Sequence, residues 1–133
     1  MKLHHALDDL DDIFSAQTKQ LQQHPLYIQY IVPVIREIET KYDEPLTLEE
    51  LSSFVFISPQ YLSRLFRRFT GCSFHKYLTQ FRINKAKELM IYQPHLDIQY
   101  ISGRVGYNDT SNFIAVFKRL TGHTPHEYRK MYK

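Results

Sequence analysis

The chain has 133 residues, 43% of them hydrophobic and 14% aromatic, which is enough for one modest core or two small ones and excludes a disordered tail. Four Gly against ten Tyr and nine Phe exclude a loop-rich or collagen-like chain, and no apolar run nears the roughly 18 residues of a membrane span. The net charge of +3 hides a division: residues 1 to 57 carry four Lys/Arg against ten Asp/Glu, a balance of −6, and residues 58 to 133 carry thirteen against four, a balance of +9.

A basic half of that size suits a polyanion such as nucleic acid. The start, MKLHHALDDLDD, has no cationic flank followed by an apolar stretch, so no signal peptide is read and the expected compartment is the cytoplasm. The single cysteine, Cys72, permits neither an internal disulfide nor a CxxC metal knuckle.

Taken in order, the elements are all helical. Leu7, Leu10, Ile13, Phe14 and Leu21 lie on one face of a first amphipathic segment, closed by His24-Pro25. Ile28, Ile31, Val32, Ile35 and Ile38 form the stripe of a second helix that runs to about Tyr42, with Pro33 as a kink or late start. After the turn Asp43-Glu44-Pro45, Thr47 and Glu50 form a capping box that opens a short helix, 48 to 56. Ser58-Pro59, an N-cap followed by Pro at the first helical position, opens a helix to about Phe69 that Gly71 stops. Ser73 caps a long helix, 74 to 92, whose apolar positions read as Phe74, Tyr77, Leu78, Phe81, Ala86 and Leu89. Asp97 caps a helix over 98 to 105 and Asp109 one over 110 to 120, which Gly122 ends. Thr124-Pro125-His126-Glu127 repeats the capping-box logic for a last helix to about Met131.

The most informative feature is an internal repeat. Phe66 to Tyr77 (FRRFTGCSFHKY) matches Phe117 to Tyr128 (FKRLTGHTPHEY) at a constant offset of 51. Upstream, at an offset of 50, Leu48, Leu51, Ser52 and Val55 fall on Ile98, Ile101, Ser102 and Val105. The one-residue difference lies in the turn, where Phe56-Ile57-Ser58 faces Gly106-Tyr107-Asn108-Asp109. Two short helices, a tight turn and a capped second helix form the helix-turn-helix signature, so the chain holds two such units. In the first, Leu62, Leu65, Phe66 and Phe69 point inward and leave Gln60, Ser63, Arg64 and Arg67 outward, chemistries that suit adenine and guanine edges and phosphate. In the second, Phe113, Val116, Phe117 and Leu120 point inward, and Thr110, Ser111, Ile114, Ala115 and Lys118 face out, a surface poor in long donors. Thr47, Arg67, Arg68, Lys118 and Arg119 are the candidate phosphate contacts.

Over residues 28 to 131 the sequence resembles the AraC/XylS family of bacterial transcription regulators. The matching segments are LTLEELSSFVFISPQYLSRLFRRFTG, FHKYLTQFRINKAKELM and DIQYISGRVGYNDTSNFIAVFKRLTGHTPHEYRK. The resemblance implies an all-helical fold of homeodomain-like three-helix units, one at 48–69 and one at 98–120, joined by a linker helix at 74–92. It also implies regulation of transcription through sequence-specific binding of double-stranded DNA. By position, Gln60, Ser63 and Arg64 would contact bases in one major-groove segment, and Thr110, Ser111, Ile114 and Ala115 would sit in the next. The further partners it implies are RNA polymerase, an upstream regulatory domain of a longer protein, and a second copy held through that domain; residues 1 to 25 are then a linker or amphipathic helix.

Two departures from the family pattern stand out. Phe56 stands where many members have a turn glycine, which puts that turn's geometry in question. Ala115 stands where many have a long basic residue, which points to weaker reading, or apolar contact with thymine methyls, by the second unit.

Other features carry blander readings. Arg82, Lys85 and Lys87 on the linker helix read as solvated or paired, and Tyr27, Tyr30, Tyr77 and Tyr128 as core-edge aromatics. The seven His lack ligand spacing, and Asp8, Asp9, Asp11 and Asp12 lack the Gly and Glu of a calcium loop, so no metal or cofactor is read. No catalytic motif is present, and the expectation is a non-enzyme. The alternative function from another class is a helical protein-interaction or anti-activator module with weakened DNA binding.

Overall fold

The computed structural model describes residues 20–132, so most of the first amphipathic segment and the Asp8–Asp12 acid cluster lie outside the described residues. Those described form a π-helical turn, Tyr27–Ile31, that runs into α1 (Val32–Lys41), followed by α2 (Leu48–Phe54), α3 (Pro59–Thr70), α4 (Phe74–Tyr92), α5 (Ile98–Arg104), α6 (Thr110–Thr121) and α7 (Pro125–Met131).

Six of these helices begin where the capping residues predict. Backbone N–H groups two or three residues on donate to Thr47, Ser58, Ser73, Asp97, Asp109 and Thr124, at distances from 2.7 Å (Asp97) to 3.2 Å (Thr124). The box at Thr47 forms only its hydroxyl half, Glu50 N–H to Thr47 Oγ1 at 3.1 Å. At Thr124 the Glu127 carboxylate also accepts the threonine hydroxyl, at 3.0 Å. The π turn has its cause in Pro33. Its ring crowds the carbonyl four residues back and it offers no N–H, and the preceding Val32 N–H reaches five residues back to Tyr27 O.

Helices α2 and α5 end one or two residues earlier than the expected 56 and 105, because each closes in a Schellman turn. Ile57 N–H donates to Ser52 O and Phe56 N–H to Ser53 O; Tyr107 N–H to Ser102 O and Gly106 N–H to Gly103 O repeat the pattern. The residue at the C′ position must then have positive φ, and both do, Phe56 at 62° and Gly106 at 103°. The phenylalanine therefore keeps the turn's hydrogen-bond pattern and bears the cost of a left-handed residue, about 1–3 kcal/mol. Helices α3 and α6 each run one residue past expectation, to Thr70 and Thr121. These hydroxyls donate back to Phe66 O at 2.6 Å and Phe117 O at 2.8 Å, and a left-handed glycine follows, Gly71 or Gly122.

Two cores result. The first gathers Ile31, Val34, Ile38, Leu51, Val55, Leu62, Leu65, Phe66 and Leu78; the second gathers Ile83, Ala86, Met90, Ile98, Ile101, Val105, Phe113 and Phe117. Helix α4 serves both. Its first half seals unit one through Tyr77, edge-on to Phe66 at 5.3 Å, as α7 seals unit two through Tyr128, edge-on to Phe117 at 5.4 Å. Its second half opens unit two through Ile83 and Met90, which the single-stripe reading of this helix omitted. From Leu78 to Ile83 is five residues, a turn of about 140° around the helix, so the apolar face changes sides midway.

Candidate nucleic-acid interface

In each unit the outward stripe of the second helix is set by what the inward stripe buries. Leu62 and Phe66 are fully buried in α3, and Leu65 nearly so, which turns Gln60, Arg64, Arg67 and Arg68 to solvent, with Ser63 half-buried at the margin. Arg64 lies over the Tyr61 ring at 5.9 Å and Arg68 over Phe69 at 5.0 Å, so aromatic faces support both guanidiniums at the surface. In α6, with Phe113 and Phe117 fully buried, Ser111, Ala115 and Lys118 are exposed and Thr110 is half-buried. Ile114, expected to face out, is also half-buried and packs against the second core, because it sits beside Phe113 on the inward edge.

The sites of the candidate phosphate contacts differ. Arg67 and Arg68 occupy the last turn of α3, and Lys118 and Arg119 that of α6, where the helix dipole favours cations. Thr47 is exposed at the start of α2, but Glu49 and Glu50 share that first turn and oppose an anion there. Arg119 lies one residue round from the Ser111, Ala115, Lys118 stripe and lines a cleft of about 460 Å³ between α4 and α6.

Of the linker cations, Arg82 is paired in a way the sequence did not disclose. Its Nε donates to Tyr42 O at 2.6 Å and its Nη2 to Glu44 O at 2.9 Å, while its guanidinium lies over Tyr107 at 5.7 Å. Burial lowers its pKa, and the same burial raises that of Tyr107. Arg82 therefore ties the turn after α1, in unit one, to the turn before α6, in unit two. Gly106 makes room for it, since a Cβ there would meet Arg82 Nε and Tyr42 O, both at 3.0 Å. Lys85 pairs with Glu88 at 3.5 Å, and Lys87 lies over Tyr128 at 5.8 Å.

Among the described residues no group of three His, Cys, Asp or Glu is placed to hold a metal ion, and no helix is long and apolar enough to cross a membrane. Two buried-stripe, capped helices on one all-helical frame define a double helix-turn-helix architecture.

Comparison with known proteins narrows that class. A helix-turn-helix domain model matches residues 51–131. The regulatory protein PocR of Salmonella typhimurium is 32% identical over 96 residues, 72% of this chain and 31% of PocR. The Escherichia coli transcriptional regulator YpdC is 35% identical over 91 residues, 68% of this chain and 32% of YpdC. Among solved structures, the C-terminal domain of AraT, a response regulator of Geobacillus stearothermophilus, superposes with a TM-score of 0.74 at 35% identity, covering 77% of this chain and 84% of that domain. The DNA-binding domain of AdpA, solved in complex with a target DNA, shares the fold at a TM-score of 0.71 and 24% identity, over 78% of this chain and 93% of that one.

The chain belongs to the AraC-type helix-turn-helix family of transcription regulators. It spans about a third of the length of PocR and YpdC.

Proposed function

We propose that α3 is the principal reading head, with Gln60, Ser63 and Arg64 in one major-groove segment, and that α6 mainly positions the second unit in the next. The observation that carries this reading is the inequality of two matched faces: Arg64 and Gln60 stand exposed on α3 where Ala115 and Ser111 stand on α6. A long guanidinium can bind guanine O6 and N7 in bidentate fashion, whereas alanine offers only contact with a thymine methyl. Arg67, Arg68 and Lys118 hold the phosphate backbone, which fixes register without reading sequence. Thr47 and Arg119 are left out of that set, the first for its neighbouring carboxylates and the second for its place in the cleft.

In this reading the chain acts within a longer regulator, in which an upstream domain supplies signal and dimerisation and RNA polymerase is the downstream partner. Fluorescence anisotropy with a promoter duplex and a random duplex, each at two salt concentrations, tests the central claim. The expected result is a preferred promoter site and affinity that falls steeply with salt, with a log–log slope of about −0.9 for each phosphate neutralised. No binding of any duplex at low salt would leave the protein-interaction module as the function, which the weak α6 face favours.

A further inference from the structure

The leading helices of the two units can be compared residue by residue. An offset of 52 sets the buried Ile31, Val34 and Ile38 on the buried Ile83, Ala86 and Met90. One turn earlier the same offset sets Tyr27 and Tyr30 on Thr79 and Arg82. The recognition helices, at an offset of 51, set Tyr61, Leu65 and Arg68 on Asn112, Val116 and Arg119. In unit one these positions are filled by packed rings, Tyr30 edge-on to Tyr61 at 6.4 Å and Tyr27 against Phe69 at 5.6 Å. In unit two the three tyrosines are Thr79, Arg82 and Asn112, and the matching space is the cleft of about 460 Å³ between α4 and α6.

The chemistry of that cleft is specific. Arg82 and Arg119 stand on opposite walls, and no salt bridge neutralises either among the described residues. The carbonyls of Tyr42 and Glu44 hold Arg82 in place while leaving its charge intact. His75, Thr79, Asn108 and Asn112 add polar groups, and the one carboxylate in the lining, Asp109, is turned to its own helix, accepting Ser111 N–H at 2.9 Å. Asn112, Val116 and Arg119 form an i, i+4, i+7 stripe about 100° round α6 from Ser111, Ala115 and Lys118, so the cleft has its own face of that helix. Its volume lies within the range of small-molecule sites, about 300–1,000 Å³.

We propose that this cleft binds a small hydroxylated anion, with its charged head between Arg82 and Arg119 and its hydroxyls on Thr79, Asn108 and Asn112. Two guanidiniums supply the charge complement for a phosphate or carboxylate, and side-chain amides pair with hydroxyls as donors and acceptors. Bound there, the anion bridges α4 and α6 and braces the second recognition helix against the linker.

The test is an NMR titration of the 133-residue chain with inorganic phosphate and with glycerol 3-phosphate, following the side-chain amides of Asn108 and Asn112 and the backbone of Gly106. The expected result is saturable shifts confined to the cleft, with glycerol 3-phosphate binding at least threefold tighter than phosphate. Closing the cleft with the residues of unit one, Thr79→Tyr with Asn112→Tyr, should abolish the shifts and leave duplex affinity within about twofold of the parent. Because two added rings can disturb folding, Thr79→Ala with Asn112→Ala is the companion variant, expected to weaken glycerol 3-phosphate at least fivefold. Shifts that never saturate or spread over the whole basic half overturn the proposal. So does a tenfold fall in duplex affinity with a shallower salt slope in a folded variant, since the cleft would then hold the DNA backbone.

Discussion

The two helix-turn-helix units agree inside and disagree outside. Phe66 and Phe117 are both fully buried and meet Tyr77 and Tyr128 in the same edge-on geometry, and Ser52 and Ser102 both lie buried in the first helix of the pair. Away from these cores, Arg64 corresponds to Ala115, Phe56 to Gly106, and Tyr61 to Asn112. The scaffold fixes interior shape to the volume of a side chain, while a reading face need satisfy only its ligand, so one duplicated frame can hold two different jobs.

The comparison is sharpened first at the shared interior. Phe66→Ala and Phe117→Ala should each cost about 3–5 kcal/mol in chemical denaturation, since each empties a fully buried ring site. A cost below about 1 kcal/mol for either would break the equivalence of the cores. On the reading faces, Arg64→Ala should cost about 1–3 kcal/mol at a preferred duplex and little on random DNA, while Ala115→Ser should be near neutral on both. Equal loss from Arg64→Ala on the two duplexes would make that arginine a phosphate contact.

The turns should respond with opposite sign. Gly106→Ala puts a Cβ 3.0 Å from Tyr42 O at positive φ and should destabilise by about 1–3 kcal/mol, whereas Phe56→Gly relieves a left-handed side chain and should stabilise by about 1 kcal/mol in thermal melts. The smallest effect is at the last cap. The Thr124 hydroxyl, together with His123, holds the Glu127 carboxyl below its ordinary pKa, and the matching position in unit one is Lys76. A lowered carboxylate pKa means that its stabilisation is present above the unfolded value and fades as pH falls through the folded one. The stability difference between the parent and Glu127→Gln should therefore shrink toward zero in acid, below about pH 4.5. A difference that grows in acid would reject the assignment.

Much of this was legible in the sequence because caps and stops act locally. Ser58, Ser73, Asp97, Asp109 and Thr124 each mark a helix start through a bond no more than three residues long, and a threonine-glycine pair marks each recognition-helix end. The repeat carried the architecture for the same reason. What escaped depends on partners distant in sequence. Ile83 and Met90 belong to a second core that begins halfway along α4, and a single periodic stripe does not show a change of sides. Arg82 finds its carbonyls some forty residues away. The half-burial of Ile114 reflects its neighbour Phe113, and the cleft is lined by residues of α4 and α6 that lie far apart in sequence.

Because α4 ends one unit and begins the next without a break, its residue count sets the phase between α3 and α6. Each residue of a helix advances 1.5 Å and turns about 100°, so one alanine inserted between Leu78 and Ile83 would swing α6 by more than a quarter revolution relative to α3. The duplex has its own fixed pitch of about 34 Å per turn, and two heads mounted on one shaft can meet it only in a single gear. If α3 reads bases as proposed, the operator spacing follows from the length of α4 as directly as the base preference follows from α3.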